Sequence, residues 1–431
     1  MTAVTRFVRR SPIFSAWIAL LAIMFGIGIV SIIYVLIHGL QVTNLSDQLP
    51  WGLWITVDLS SIALGAGAFT LSAFVYIFNM KRYEAIARAA VVVGLLGYSS
   101  AMIALFVDIG RPDRFYFPVI FWQVHSVLWE ITMCVVFYSS VLLMEVFPII
   151  VESTPLRNIR FLRGLAHFLH RIMPIAAWIG MGLSLLHQSS LGATYGVLIA
   201  RPVWFSPSAP VLFILSAVAG GIALTLTVTL ITADLKRKCL LPPDILNNVA
   251  RFAGFAALAY LYLKLWSWAV TNYYSHPPAI RHDLELLGEH TPYGFTFWWF
   301  EILLGALIPA IIYLWPRTRR NRYALMLAGL LSALGVVVFR WNMTLSGFVV
   351  PMDWSPGVAN VFTPATYWPS LVEWGVVVGI VGYWLLAWSL AARFLKLYPY
   401  ERTIEEARRE MLERAAAERS ALDESAPAPA R

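Results

Sequence analysis

Residues 50–79 read PWGLWITVDLSSIALGAGAFTLSAFVYIFN, an apolar run in which Asp58 is the one charged side chain. The run is longer than the roughly 20 helical residues that cross a hydrocarbon core. A charge in hydrocarbon costs at least about 2.5–3.5 kcal/mol, so an acid inside such a run is a functional candidate. The segment therefore predicts a membrane-spanning helix whose carboxylate faces other parts of the protein.

The composition extends this interpretation to the whole chain. Of its 431 residues, 59% are hydrophobic and 13% are charged, whereas soluble proteins carry about 25% charged residues. The first apolar run is too long for a signal peptide, so we interpret it as a span. Ten segments are long enough to cross a membrane, near residues 14–38, 51–79, 87–109, 124–149, 172–196, 209–233, 246–271, 294–316, 323–346 and 368–396. We predict an all-α integral membrane protein of ten transmembrane helices, in two four-helix-bundle-like halves plus extra helices, formed by residues 1–397.

The distribution of lysine and arginine predicts the orientation. The N-terminus, the even-numbered loops and the C-terminal tail hold 26 of the 32 Lys and Arg residues. The positive-inside rule then places both termini in the cytoplasm. Residues 398–431 form a charged cytoplasmic tail, which we predict to be helical from Thr403, its N-cap, to Leu422 and then disordered. Because topology explains the net charge of +8, no nucleic-acid partner is required.

The sequence contains few residues that could ligate a metal-bearing cofactor. The two cysteines, Cys134 and Cys239, form no CxxC motif, whereas an iron–sulfur cluster generally takes four thiolates. A haem held by two histidines needs them on facing helices, and His187 alone lies well inside a predicted span. We therefore expect neither an iron–sulfur cluster nor a haem in this chain, and we predict no metal ligand. A haem b-containing anchor remains an alternative.

Ionisable residues interrupt several predicted spans at a similar depth. All lie in the half of the bundle predicted to face the periplasm, and they are Asp58, Glu130, His187, Lys264, Glu301, Arg340 and Glu373. Intramembrane charges usually face a bundle interior or a cavity and mark functional pathways. Their shared depth predicts a buried polar chamber.

Each of these residues also has a structural interpretation. Trp51, Trp54 and Asp58 have the spacing of one helix face, and the Gly65-Ala66-Gly67-Ala68 run allows close helix packing. The alternative is that the tryptophans anchor the helix at the membrane interface and the acid accepts hydrogen bonds from a neighbouring helix. The carboxylates Glu130, Glu301 and Glu373 could instead form a structural network with Lys264 and Arg340, since buried charges usually pair.

His187 begins the polar run His187-Gln188-Ser189-Ser190 inside a predicted span. An imidazole titrates near neutral pH and can donate a proton to a quinone oxygen. The alternative is a histidine bonded to a carbonyl on the next helix.

The Asp108–Arg114 segment either ends a helix or forms a charged rim that docks a partner.

At these positions the chain resembles the integral membrane subunits of the NrfD/PsrC (polysulfide reductase) family. It is most similar to the ten-span branch of hydrogenase-2-type membrane subunits. The resemblance runs from about Pro50 to Glu373, and its motifs are Pro50-Trp51-Gly52-Leu53-Trp54-Ile55 with Asp58, Asp108-Ile109-Gly110-Arg111, Ser126-Val127-Leu128-Trp129-Glu130, His187-Gln188-Ser189-Ser190-Leu191-Gly192, Phe297-Trp298 with Glu301, Arg340, and Glu373. The sequence departs from the branch at His125, where we expect Asn, and at Lys264, where we expect Arg.

The resemblance implies a haem-free, quinone-interacting subunit of a respiratory complex in the bacterial inner membrane. It implies a periplasmic four-cluster ferredoxin-like partner, a catalytic subunit, and a menaquinone or ubiquinone pocket in the outer half of the bundle. Quinone-site roles carry over to Asp58, Glu130 and His187, and supporting roles to Trp51, Gly52, Arg111, Gln188 and Arg340. We extend quinone-binding roles to Lys264, Glu301 and Glu373.

Our hypothesis is a subunit, not catalytic by itself, that exchanges two electrons and two protons with quinone. His187 and Asp58 would bond the quinone oxygens, Glu130 would extend the proton relay, and Arg340 or Lys264 would stabilise negative charge. The rival hypothesis is a proton-coupled transporter, whose polar groups would lie at the midplane between repeated halves. Glu145 and Asp234 are the candidate inner ends of a proton path, although snorkelling interface charges explain them equally well.

Overall fold

The structure, a computed structural model, describes residues 12–199, 201, 203–273, 292–349 and 367–403, and four tail positions, 405, 406, 409 and 413. Ten helices in these ranges are long and apolar enough to cross a membrane, as predicted. Spans 1 to 10 are Pro12–His38, Leu53–Tyr76, Lys81–Asp108, Val127–Ser153, Arg160–Gly196, Ala209–Lys236, Pro243–Thr271, Tyr293–Leu314, Arg322–Phe348 and Leu371–Phe394. The end of the bundle at which the even-numbered spans begin is here called the outer end, and the opposite end is the inner end.

Three spans depart from a single α-helix. Span 2 consists of Leu53–Gly65 and Gly67–Tyr76, and span 3 opens with a 3-10 turn before the α-helix Glu84–Asp108. Span 8 contains a π-helix, Thr296–Leu307, between the α-helices Pro292–Phe295 and Ile308–Leu314. The α-helices of spans 7 and 9 extend to Tyr273 and Val349. The remaining elements are 3-10 turns at Leu40–Val42, Pro112–Arg114 and Pro155–Asn158, short α-helices at Phe117–Ile120 and Pro316–Arg319, and two strands, Lys238–Cys239 and Arg402–Thr403.

The spans pack as the two predicted four-helix bundles. Spans 2–5 surround one another and form the first bundle, and spans 6–9 form the second. Span 6 packs against spans 2 and 5, and span 9 packs against span 2, so these helices join the bundles. Spans 1 and 10 pair with each other and contact span 3 from outside.

Glycines set the closest helix contacts. A Cβ on Gly28 of span 1 would collide with the Cα of Gly379 in span 10, and Gly67 has the same relation to Gly221 in span 6. Small residues are favoured at such crossings because helices in lipid associate through close packing. The predicted close approach at residues 65–68 is therefore observed at Gly65, beside Gly94 and Gly97, and at Gly67.

Span 5 differs from its predicted bounds. The helix begins at Arg160 rather than near residue 172 and has 37 residues. Such a helix is about 55 Å long at 1.5 Å per residue, well beyond a hydrocarbon core of about 30 Å. The additional turns carry arginines and histidines, so a hydropathy criterion excludes them although they are helical.

The predicted tail is described only in part. Thr403 Oγ1 accepts from the Glu406 N–H (3.3 Å) and Glu406 accepts from the Thr403 N–H (2.8 Å), so the predicted N-cap is present. The strand Arg402–Thr403 pairs antiparallel with Lys238–Cys239 and fixes the chain after span 10 to the loop after span 6. The N-terminal arginines, Arg281 and the rest of the tail prediction lie outside the described residues.

Candidate functional site

His187 is fully buried in the first bundle, with 0% of its surface exposed. Its Nδ1 atom lies 2.9 Å from the Tyr98 hydroxyl of span 3. Its Nε2 atom is buried and has no hydrogen-bond partner among the described residues. Tyr98 therefore occupies one ring nitrogen of the imidazole, and the hydrogen-bonding capacity of the other is unused within the described residues.

Gln188 follows this histidine in span 5 and contacts span 2 one turn from Asp58. Gln188 Nε2 donates to the Ile62 carbonyl (3.4 Å), one helical turn beyond Asp58 in span 2, while its Oε1 has no partner in the described chain. Asp58 is 6% exposed and lies in span 2 one helical turn before Ile62, whose carbonyl accepts from Gln188. We call Asp58, Tyr98, His187 and Gln188 the His187 cluster.

Glu130 lies at the outer edge of the His187 cluster. It occupies the first turn of span 4, is half-buried, and accepts a 2.7 Å hydrogen bond from Ser190 Oγ. Ser190 is one turn beyond His187 toward the outer end of span 5. The hydrogen-bonding run after His187 thus leads to a carboxylate nearer the surface.

Trp51 and Trp54 do not share a face, contrary to the prediction. Trp51 packs on Tyr195 and Trp204 with ring centroids 5.7 and 5.9 Å away, whereas the indole N–H of Trp54 donates to the Glu373 carbonyl of span 10 (3.2 Å). The helix begins at Leu53, with Gly52 as N-cap, so helical periodicity does not fix the direction of Trp51.

Glu373 joins three segments at the outer end. It is fully buried and accepts hydrogen bonds from the Tyr367 hydroxyl, the Asn44 N–H (3.0 Å) and the Ser370 N–H (2.8 Å). With Ser370 it forms the capping box of span 10. A Cβ on Gly52 would collide with the same Tyr367 hydroxyl. The structure thus gives Glu373 and Gly52 packing roles, and their quinone-binding roles stay predictions.

A second polar group, the Glu301 cluster, lies in the second bundle. Glu301 Oε1 accepts from Tyr260 (2.6 Å) and pairs with Lys264 Nζ (2.8 Å), and Oε2 accepts from Asn342 (3.2 Å). Glu301 lies within the π-helix of span 8, and π-helical segments are frequent at functional sites. Of the possible charge pairs, the one between Lys264 and Glu301 is observed. Salt bridges from Glu130 or Glu373 to Lys264 or Arg340 do not occur among these described residues.

Arg340 is a buried cation without a carboxylate partner in the described ranges. It is 0% exposed, and its Nη2 donates to Ser216 Oγ (3.1 Å) and the Phe213 carbonyl (3.3 Å). The guanidinium carbon lies 3.5 Å from the centre of the Phe213 ring. Nε and Nη1 are buried and have no hydrogen-bond partner in the part of the chain described. Two charged donors therefore remain for a ligand.

Tyr195 connects the two bundles. Its hydroxyl lies 3.2 Å from Thr344 Oγ1 of span 9. His187, Lys264 and Arg340 each lie nine residues before the last described helical residue of their spans. Nine residues at 1.5 Å per residue place each of the three about 13.5 Å before the last described helical residue of its span.

Arg111 lies apart from both clusters. It follows Gly110, whose positive φ of 68° ends the span 3 helix as predicted, and its side chain is exposed. Its Nε and Nη2 donate to the two Asp113 carboxylate oxygens at 3.1 and 3.0 Å. The hydrogen bond from Arg111 lowers the pKa of Asp113. The structure places Arg111 on the outer surface, and its supporting role at a quinone stays a prediction.

Sequence reasoning missed the tyrosines that hold these clusters together. Tyr98 and Tyr260 each interrupt an apolar run and each contact a predicted site residue. Aromatic residues are common in membrane spans, and a search for charged residues does not select tyrosine hydroxyls. A search for every buried hydrogen-bonding group at the depth of His187 would have found them.

Ten spans around two buried polar clusters define a polytopic membrane protein with an internal polar site. A family model described as "Polysulphide reductase, NrfD" matches residues 41–351, and the chain belongs to this family, as the motifs predicted. The matched region covers spans 2–9, the two four-helix bundles.

Three relatives show the range of this family. The chain is 35% identical to the menaquinone reductase integral membrane subunit of Nitratidesulfovibrio vulgaris, over 90% of this chain and 93% of the relative. It is 27% identical to the Hdr-like menaquinol oxidoreductase integral membrane subunit of Archaeoglobus fulgidus, over 86% and 91%. It is also 27% identical to the probable Ni/Fe-hydrogenase 2 b-type cytochrome subunit of Escherichia coli, over 84% and 88%.

The name of the last relative raises the question of haem. The other described histidines lie at span ends: His38 and His125 at the outer end, and His167 and His170 near the inner end of span 5. The described residues therefore offer His187 no second histidine on a facing helix at its own depth. They do not fit a haem held by two histidines.

Proposed function

We propose that this chain is the quinone-interacting membrane subunit of a respiratory oxidoreductase complex. The observation that carries the proposal is the buried Nε2 of His187, which has no partner among the described residues, while Tyr98 holds Nδ1. The buried acid Asp58 lies in the same bundle, on span 2. Menaquinone or menaquinol appears in the names of two relatives that align over most of this chain. A quinone carbonyl oxygen is an acceptor that such an N–H would bind.

The Tyr98 contact gives His187 a defined chemical role. When the Tyr98 hydroxyl donates to Nδ1, the neutral imidazole carries its proton on Nε2. In this proposal Nε2–H donates a hydrogen bond to one quinone oxygen, and the Asp58 carboxyl exchanges a proton with the other. Reduction to quinol takes up two electrons, which the partner supplies, and two protons. One is the Nε2 proton, given up as the Tyr98 hydroxyl proton moves to Nδ1 so that the imidazole stays neutral. The other comes from protonated Asp58, and Tyr98 and Asp58 then regain their protons.

Arg340 is the candidate that stabilises negative charge on the quinone oxygens. Lys264 is neutralised by Glu301 at 2.8 Å, whereas Arg340 retains two unpartnered N–H groups within the described structure. Preorganised cations act most strongly where water is excluded. The contact of the Tyr195 hydroxyl with Thr344 of span 9 joins the two bundles at this level.

The electrons come from a partner in this proposal. The two cysteines are single free thiols on different elements, Cys134 in span 4 and Cys239 in an inner strand. We infer a periplasmic four-cluster ferredoxin-like subunit docked at the outer end, joined to a catalytic subunit of a hydrogenase-2-like or sulfur-metabolism complex. The exposed aromatic residues Phe115, Phe121 and Trp122, beside Arg111 and Arg114, are the proposed docking surface. Both termini then face the cytoplasm of a bacterial inner membrane.

The experiment is purification of the complex in mild detergent, followed by quinone reduction or quinol oxidation with the partner's redox substrate. The proposal requires an iron–sulfur protein that copurifies with the chain and turnover that depends on added quinone. A chain that purifies alone and moves solute with protons would instead support the transporter.

Asp234, one candidate inner end of a proton path, pairs with Arg322 at 2.9 Å, so that acid has a structural partner.

A further inference from the structure

A large cavity opens at the inner end, away from both polar clusters. It has a volume of about 1880 Å³ and is bounded by spans 1, 6 and 10, the starts of spans 3 and 7, and residues 395–402. Pockets for small molecules are typically about 300–1,000 Å³, so this cavity suits a larger occupant.

The deep wall of the cavity is apolar and aromatic. Trp384 and Trp388 stack on span 10 with ring centroids 6.0 Å apart. The Trp388 indole N–H already donates to Thr232 (3.3 Å) and that of Trp17 to Ser389 (3.1 Å). Since these donors are satisfied, the wall presents hydrocarbon and ring faces.

The wall continues onto the outside of the bundle. Leu235 of span 6 and Ile13 of span 1 line the cavity and are 82% and 83% exposed. Apolar side chains exposed at this level of a membrane protein face lipid. The cavity is therefore continuous with the bilayer.

The mouth of the cavity is strongly basic. Eight basic and three acidic side chains line it; they are Lys81, Arg82, Arg88, Lys236, Lys238, Arg393, Lys396 and Arg402, with Glu84, Asp244 and Glu401. Glu401 pairs with Lys236 and Lys238, and Glu84 with Arg88. Lys81 and Lys396 are exposed and have no ion pair among the described residues. The mouth thus holds excess positive charge.

We infer that this cavity binds an anionic phospholipid of the leaflet at the inner end. Its phosphate would lie among Lys81, Lys396 and their neighbours, and its acyl chains along Trp384, Trp388 and Leu235. A basic mouth over an apolar wall open to the bilayer matches the two parts of a phospholipid. Basic pockets between spans on the cytoplasmic side are known to bind anionic headgroups.

The experiment uses the full chain within its purified complex. The delipidated complex is titrated with phosphatidylglycerol, cardiolipin, phosphatidylcholine or inorganic phosphate, and bound lipid is measured by native mass spectrometry. The test variant is Lys81→Gln with Lys396→Gln. The matched control is Arg160→Gln with Arg163→Gln, which removes the same charge from exposed positions at the same end outside the cavity.

We expect anionic lipids to bind more tightly than phosphatidylcholine. Two basic groups near a headgroup predict an affinity about 30-fold weaker in the test variant, with less than about a threefold change in the control. Leu235→Asn should weaken lipid binding and leave phosphate binding unchanged. Equal affinity for phosphatidylcholine, equal loss in the control, or displacement of lipid by millimolar phosphate would overturn the inference.

Discussion

The Nδ1 atom of His187 and the hydroxyl of Tyr98 lie 2.9 Å apart, between spans 5 and 3. This contact fixes the imidazole in one orientation and leaves Nε2 without a partner among the described residues. A buried polar group without a hydrogen bond is costly, and the quinone oxygen that we propose as its partner would supply the missing acceptor.

Replacing His187 should remove quinone turnover. We expect His187→Gln to lower kcat by about 100-fold or more, because proton transfer by a positioned side chain contributes about 10²–10⁴-fold. His167→Gln, on an exposed turn of the same helix, is the control and should retain activity. The measurement is the quinone-dependent rate of the purified complex, with assembly checked by gel filtration. An assembled His187→Gln complex with a normal rate would exclude the assignment.

Tyr98 acts through His187 as a positioning residue. Tyr98→Phe should lower kcat about 10–100-fold, as the loss of a group that orients a functional histidine does, and it should change the pH profile of the rate. The mutation removes one hydroxyl and keeps the ring against Tyr138. Tyr262→Phe, an exposed residue of span 7, is the matched control. A uniform loss of rate at every pH would indicate a structural role instead.

The Lys264–Glu301 pair should matter for stability. Glu301→Gln leaves Lys264, whose side chain is 15% exposed, without its carboxylate partner. Because breaking a fully buried ion pair costs about 3–5 kcal/mol, we expect a loss toward the lower end of that range. The Lys264→Met, Glu301→Gln double variant should recover part of that loss because no charge remains unpaired. Unfolding in mixed detergent micelles measures the difference. A single variant as stable as the wild type would show that water reaches the pair.

A side chain inserted at the glycine contact between spans 1 and 10 should destabilise the protein. Gly28→Ala places a Cβ against Gly379, and overpacking of this kind costs about 1–3 kcal/mol. Gly26→Ala is a matched control two residues away, where a Cβ meets nothing within 4 Å. Thermal unfolding of the two variants gives the comparison, and equal melting temperatures would contradict the helix contact.

The contact between Glu401 and its two lysines should depend on pH. Burial raises the pKa of Glu401, but Lys238 and Lys236 outweigh this effect and hold the pKa below its ordinary value of 4.5. The stabilisation is therefore present above the ordinary pKa and is lost as the pH falls through the lowered one. The protection factors of the Cys239 and Arg402 amides, which correct for the intrinsic pH dependence of exchange, should fall under acid conditions in the wild type. In Glu401→Gln the same two amides should be less protected than in the wild type at pH 7, and their protection should not change on acidification. Protection in the wild type that is unchanged on acidification would argue against the ion pairs.

The spans and the family could be predicted from the sequence because both depend on local patterns. Apolar runs define the helices, and a charge within a run, such as Asp58 or Arg340, is visible without a structure. The direction of Trp51 could not be predicted, because the helix begins two residues later at Leu53. The π-helix around Glu301 and the contacts of Tyr98 and Tyr260 depend on tertiary packing, which hydropathy does not encode.

The most direct test of the quinone site is photoaffinity labelling of the complex with an azidoquinone, followed by peptide mapping. The proposed site predicts labelled peptides from span 5 around His187 and from span 2 around Asp58, with the label displaced by excess quinone and strongly reduced in His187→Gln. Displaceable labelling confined to peptides far from both residues, and unchanged in His187→Gln, would contradict the site.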